Sequence, residues 1–310
     1  MSTDSQTAPS SPADRPRRSL PFAIIAALRP KQWTKNGLLF AALIFSSNFG
    51  KIEDWGLCIA AFVSFCLLSS TGYVYNDLGD AEADRLHKTK RFRPIAAGEI
   101  TPSGAWALMA VCLTGALTTA YFVGVPFLVC ALLYFATTLS YSSFFKHFVI
   151  LDVMFLSACY LWRAVAGAVA ISVPISPWLL LCTAFLALFL GFNKRRGEIL
   201  LLEGKKAAGT RKALAHYSPA MLQEFQAITT SGTIISYALY TVQGSPTPWL
   251  LVTLPYVLYG ILRYIYLVDQ KGEGAAPDET LLRDVPTLLT VALYVVTAIG
   301  VILYAPHAVV

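Results

Sequence analysis

The chain has 310 residues, 56% of them hydrophobic and only 14% charged, with a mean hydropathy of +0.58 and a formal net charge of +6. That is far too apolar for an ordinary water-soluble domain, so lipid is the expected solvent. The positive balance alone would suit nucleic acid, but no zinc-finger, helix-turn-helix or aromatic-basic signature accompanies it, and nucleic acid is not an expected partner.

In chain order, Met1 to Ser19 is rich in Ser, Pro and Arg and reads as a disordered basic tail. The apolar run Pro21 to Leu28 is cut at once by Arg29-Pro30-Lys31, which argues against a cleavable signal peptide. Residues 20–310 read as a single transmembrane domain. A crossing needs about 20 mostly apolar residues. Nine candidates are centred in Gly37 to Phe49, Trp55 to Tyr75, Gly104 to Phe122, Pro126 to Ser142, Val149 to Ile171, Pro177 to Phe192, Met221 to Val242, Pro248 to Val268 and Val285 to Tyr304. The first reaches full length only if it begins within the basic stretch Arg29 to Asn36, with Trp33 at headgroup level. The seventh starts polar, at Gln223, Glu224 and Gln226. The predicted fold is all-α, a polytopic membrane bundle of about nine helices with loops capping one end.

The six cysteines are scattered through apolar spans without C-x-x-C spacing and read as small buried residues. Nearly all of the 24 Lys and Arg fall in alternate loops: before the first span, between the second and third (Arg85, Lys88, Lys90, Arg91, Arg93), and between the sixth and seventh (Lys194, Arg195, Arg196, Lys205, Lys206, Arg211, Lys212). The opposite loops contribute only Lys51. The positive-inside rule then puts the amino terminus in the cytoplasm and the carboxyl terminus outside, which requires an odd number of spans. Basic loops on that face suit anionic headgroups or phosphate-bearing substrates.

The second span ends in Asn76-Asp77-Leu78-Gly79-Asp80-Ala81-Glu82-Ala83-Asp84. If its helix persists, Asp77, Asp80 and Asp84 follow i, i+3, i+7 on one face. Asp and Asn oxygens over a shallow surface suit Mg²⁺, which keeps several waters and is shared with substrate phosphates. The plainer alternative is a solvated helix end pairing with Arg85, Lys88 and Lys90. The sequel Lys90-Arg91-Phe92-Arg93-Pro94-Ile95-Ala96-Ala97-Gly98 favours the metal: a magnesium-bound diphosphate needs carboxylates on one side and Lys or Arg donors on the other.

The N-D-x-x-D-x-x-x-D pattern at Asn76 to Asp84, followed by K-R-x-R-P-I-A-x-G, resembles the UbiA superfamily of intramembrane prenyltransferases, from Leu28 to about Tyr304. One departure stands out. Where that family carries a second Asp-rich motif at the cytoplasmic end of the sixth span, this chain has Gly191-Phe192-Asn193-Lys194-Arg195-Arg196-Gly197-Glu198. With Arg29 to Asn36, Tyr141-Ser142 through Lys146, Tyr160 to Gly167, and Pro277 to Asp284, the pattern is similar to the decaprenyl-phosphate phosphoribosyltransferase branch of the superfamily.

That resemblance implies a multi-pass enzyme of the cell membrane, its site facing the cytoplasm. It would transfer 5-phosphoribose from phosphoribosyl pyrophosphate to a polyprenyl phosphate with Mg²⁺, releasing pyrophosphate, as the first committed step towards lipid-linked arabinofuranose. Asp77, Asp80 and Asp84 are the expected catalytic and metal-binding residues, with Asn76 ligating or orienting. Lys90, Arg91 and Arg93 are candidates for the diphosphate or the ribose 5-phosphate. Lys31, Gln32, Lys35 and Asn36 are candidates for the lipid phosphate, or alternatively an interfacial anchor. Tyr141 and Lys146 are expected to line the pocket. Lys194, Arg195 and Arg196 form an expected phosphate wall, with Glu198 orienting one of them.

Asp152 lies about one turn into the fifth span, and Arg163 roughly 16 Å deeper on nearly the same face. Arg163 is expected to close a buried network with Asn or carbonyl groups, and Arg263 to snorkel to headgroups. The runner-up function is conventional UbiA chemistry, moving a prenyl group from a prenyl diphosphate to an aromatic or other acceptor. A transporter would spread ionisable groups along several spans, and a CDP-alcohol transferase would need a D-G-x-x-A-R-like stretch; neither pattern is present. Nothing in the pattern specifies acceptor chain length or oligomeric state.

Overall fold

A computed structural model of the protein describes residues 18–46, 50–87, 89–202, 214, 216–272, 274, 280 and 283–305. Most of the expected tail, Lys88, Lys205, Lys206, Arg211, Lys212, Asp278 and Glu279 lie outside these residues. Among the described residues the regular structure is helical throughout. We number the α-helices α1 Leu20–Leu28, α2 Ala41–Phe45, α3 Ile52–Gly79, α4 Ala81–Leu86, α5 Pro102–Val123, α6 Val125–Ser143, α7 Leu151–Ala170, α8 Pro177–Leu202, α9 Pro219–Leu239, α10 Leu254–Lys271 and α11 Val285–Tyr304.

Among the described residues, seven helices are long and apolar enough to cross a membrane: α3, α5, α6, α7, α8, α10 extended back to Pro248, and α11. The chain is a multi-pass membrane protein. The other two of the about nine expected spans are the first and the seventh. The segment expected as the first span is a 3₁₀ helix, Pro30–Phe40, that continues into the short α2. A 3₁₀ run of 11 residues is unusual. At about 2 Å per residue, with five α residues at about 1.5 Å, it reaches about 30 Å, the depth of a hydrocarbon core. The expected seventh span is α9, whose polar face turns inward and buries Gln226, Thr229, Thr233 and Ser236. This inward polar row lowers the hydropathy of the helix, and small and hydroxylated residues of that kind serve packing between helices.

Local signals set the helix starts. Thr101, Ser218 and Asp284 accept hydrogen bonds from Gly104, Met221 and Thr287 backbone N–H groups at the starts of α5, α9 and α11, each with a Pro in the first two positions. Gly124, at φ 146°, is the single residue joining α5 to α6. α3 is the most enclosed crossing helix, with 61% of its most apolar window buried against 22% in α5, α6 and α11. It packs on α5, α6, α7 and the 3₁₀ segment, while α8 pairs with α9 and α10 with α11. Phe65, Phe127 and Tyr134 form the aromatic centre of the α3–α6–α7 core.

The 3₁₀ segment lies against α7 at Gly167. A Cβ there would strike the Leu39 backbone, with its carbonyl carbon and Cα both at 2.9 Å. α1 buries only Ala23 and Ala27 and leaves Leu20, Phe22 and Ile25 exposed. All six cysteines are free and buried, as their apolar setting predicts.

Candidate active site

The acidic cluster forms where α3 ends. Asp80 departs from helical geometry, at φ −93° and ψ 2°, and α4 begins at Ala81. The expected continuous helix with three carboxylates on one face is therefore split. Asp77 and Asp84 turn inward and are buried, whereas the Asp80 side chain is 36% exposed. The break lets Arg93 reach both inner acids: its Nη1 lies 3.0 Å from Asp77 Oδ1 and 2.6 Å from Asp84 Oδ2. Arg29 Nη2 donates to both Asp77 oxygens at 2.5 and 2.7 Å. Asp80 accepts from Asn76 Nδ2 at 3.0 Å and from Lys146 Nζ at 3.1 Å. The acids thus pair with Arg29, Arg93 and Lys146, partners up to 66 positions away in sequence.

Arg29 is the residue that sequence reasoning missed here. It ends α1 in a left-handed conformation, φ 53°, with its guanidinium 5.0 Å from the Tyr73 ring centre. Its one sequence signal is its place before Pro30 at the head of the basic stretch. In the loop that follows the acids, Lys90 to Phe92 form a 3₁₀ turn, the Arg91 guanidinium sits 4.8 Å over the Phe92 ring, and Arg85 Nε donates to Ala96 O.

A second polar cluster joins the start of α7, the end of α8 and the approach to α9. Arg195 is fully enclosed. Its Nε donates to Asp152 Oδ2 at 2.7 Å and its Nη1 to Glu198 Oε2 at 2.8 Å. Tyr217 donates to Asp152 Oδ1 at 2.6 Å. Burial first, and then that bond, push the Tyr217 phenol well above its ordinary range and keep it a donor. Arg196 donates to Gln226 Oε1 at 2.7 Å and pairs with Asp269 at 3.2 Å, and Gln226 in turn donates to Asn193 Oδ1 at 2.8 Å. Lys194 is half-buried on the same turn of α8. Tyr217 carries no sequence signal.

The connection between α6 and α7 links the clusters, with Lys146 on Asp80 and Asp152 on Arg195. Tyr141, half-buried near the end of α6, lies within electrostatic range of Arg195.

The lipid-phosphate candidates separate. Asn36 is fully buried; its Oδ1 accepts from Arg163 Nε at 2.7 Å, and its Nδ2 faces Cys66 and Ser69. Arg163 also donates to Cys159 O and Tyr134 OH, closing the buried network expected of it. Lys31 is exposed, and Lys35 donates to Gln32 Oε1 at 2.7 Å. Thr34 and Lys35 border an apolar cavity of about 1060 Å³ that extends past Tyr160 and Leu186 to Phe45, Tyr240 and Tyr294. Arg263 makes a two-bond pair with Asp284 at 2.9 and 3.1 Å.

Among the described residues no three His, Cys, Asp or Glu side chains converge into a closed metal cage. The oxygen donors of Asn76, Asp77, Asp80 and Asp84 suit Mg²⁺ by chemistry, and a guanidinium nitrogen already bridges Asp77 and Asp84, marking that gap as a cation position. Such a site fits a Mg²⁺ whose remaining ligands are water and substrate phosphate.

The sequence profile of the UbiA prenyltransferase family matches residues 37–282. Decaprenyl-phosphate phosphoribosyltransferase of Mycolicibacterium smegmatis is 34% identical over 88% of this chain and 90% of its own. The Corynebacterium glutamicum protein of the same name is 38% identical over 87% and 83%. Among solved structures, a UbiA homolog from Archaeoglobus fulgidus bound to GPP and Mg²⁺ superposes with a TM-score of 0.69 at 20% identity, over 90% of this chain and 99% of that one.

Proposed function

The chain belongs to the UbiA prenyltransferase family, and from that premise we propose that it transfers 5-phosphoribose from phosphoribosyl pyrophosphate to a polyprenyl phosphate such as decaprenyl phosphate. The names of the relatives support this reading. The observation that carries it is Arg195: where the family pattern calls for a second acidic motif, α8 ends in a buried guanidinium held by Asp152 and Glu198. A wall of that charge suits a donor with phosphates at both ends.

The reaction needs little proton transfer. An anionic oxygen of the lipid phosphate attacks the anomeric carbon, the bond from that carbon to pyrophosphate breaks, and pyrophosphate leaves with the electron pair. Catalysis is then positioning and charge neutralisation. Arg29, Arg93 and Lys146, already seated on the acids, are placed to take phosphate oxygens, together with Lys90 and Arg91 of the adjoining loop. Mg²⁺ held by Asn76, Asp77, Asp80 and Asp84 would supply further stabilisation of charge on the leaving group. Lys194, Arg195 and Arg196, with Tyr141, would bind the second phosphate end. The polyprenyl chain occupies the apolar cavity, its phosphate held at the mouth by Lys31, Gln32 and Lys35. The concentration of Lys and Arg at this end supports a site on the cytoplasmic face of the cell membrane.

The test is incubation of membranes containing the protein with radiolabelled phosphoribosyl pyrophosphate, Mg²⁺ and polyprenyl phosphates. A labelled lipid is expected, lost on chelation and in Asp77→Ala and Asp80→Ala. Consumption of a labelled prenyl diphosphate with an aromatic acceptor, and no phosphoribosyl lipid, would instead establish conventional prenyl transfer.

A further inference from the structure

Ile150 precedes α7 at φ 69° and ψ −50°. For a β-branched residue this is a strained conformation, the centre of a γ-turn closed by the Leu151 N–H on Val149 O at 2.8 Å. Such strain persists only where surrounding contacts impose it, and it concentrates at functional sites. The contact here is Tyr217: its hydroxyl accepts from the Ile150 N–H at 2.7 Å and donates to Asp152 Oδ1 at 2.6 Å. One oxygen thus ties the turn to the first acid of α7.

Asp152 uses its other oxygen on Arg195. Two of the three Arg195 nitrogens are then occupied, while Nη2 is buried with no hydrogen-bond partner among the described residues. An enclosed guanidinium N–H left unpaired is costly unless a ligand completes it. The Tyr217 ring itself packs with Val153, Phe192 and Leu222. The ring thus supplies apolar packing, while the two hydroxyl bonds act on the turn and on Asp152.

We propose that Tyr217 is a positioning residue for the phosphate-bearing donor: through the Ile150 turn and Asp152 it holds the Arg195 guanidinium so that Nη2 receives a phosphate oxygen. This rests on the reading of the α8 end as a phosphate wall and names the device that orients it.

Tyr217→Phe keeps the ring and removes both hydroxyl bonds. In the purified full-length protein with Mg²⁺, ribose 5-phosphate should raise the thermal midpoint of the wild type, and the ribose 5-phosphate concentration needed should rise about tenfold in Tyr217→Phe. In the transfer assay, KM for phosphoribosyl pyrophosphate should rise by a similar factor, with KM for polyprenyl phosphate unchanged. Asp152→Asn should show the same donor-side shift, and the double variant should be no worse than Asp152→Asn alone, because both act through one chain of contacts. The inference is overturned if ribose 5-phosphate does not protect the wild type, if it protects Tyr217→Phe at the same concentration, or if both KM values rise together. If no phosphoribosyl lipid forms but ribose 5-phosphate protection still weakens in Tyr217→Phe, the positioning role stands and the assigned transfer reaction falls.

Discussion

Arg29 grips Asp77 with one nitrogen on both carboxylate oxygens, at 2.5 and 2.7 Å, across 48 positions of sequence. The pair joins the left-handed end of α1 to the end of α3 and neutralises the most deeply placed acid of the cluster. In the proposed reaction the same guanidinium would lie against the diphosphate. Arg29→Ala should lower labelled-lipid formation by about 10²-fold, the scale for loss of one preorganised charge-stabilising donor. Arg29→Lys should recover only part of it, since an ammonium lacks the planar fork. Turnover within about twofold of wild type in Arg29→Ala would remove Arg29 from the site.

Asn36 tests the separation of structural from substrate-binding polar residues. Its carbonyl oxygen is the acceptor for the buried Arg163 Nε. Asn36→Ala leaves that charged donor unpaired and should cost about 1.5–3 kcal/mol, read as a lower thermal midpoint in detergent. If stability is unchanged and KM for the lipid acceptor rises instead, Asn36 belongs with the lipid phosphate.

Gly167 sets how closely the 3₁₀ segment approaches α7. Gly167→Ala drives a methyl into the Leu39 backbone, which has no rotamer to yield. We expect destabilisation of about 1–3 kcal/mol, the range for overpacking, measured by thermal unfolding. Wild-type stability in this variant would mean the two backbones are not in contact.

Asp284 supplies a pH signature. Arg263, then the Thr287 hydroxyl and N–H, hold its carboxyl below the usual carboxylate range, against the opposing effect of burial. Because the folded value is depressed, the pair's contribution is present above the unfolded carboxylate value, about pH 4, and is lost as pH falls below it. A plot of thermal midpoint against pH should therefore slope less steeply on its acid side in Asp284→Asn than in wild type. Parallel acid limbs would show that this pair does not set the response.

The membrane class, the apolar helices, the acid motif and the basic replacement on α8 were legible in sequence. Hydropathy, span length and capping are local properties, written within about 20 residues of one another. The break at Asp80, the enclosure of Asn36, the grip of Arg29 on Asp77 and the clamp of Tyr217 on Ile150 and Asp152 were decided by tertiary structure alone. Their partners lie 48 to 127 positions apart. No local period records such separations. They arise when helices pack and each buried polar group must find a donor or acceptor, so composition determined what could be buried and the bundle determined which charges meet.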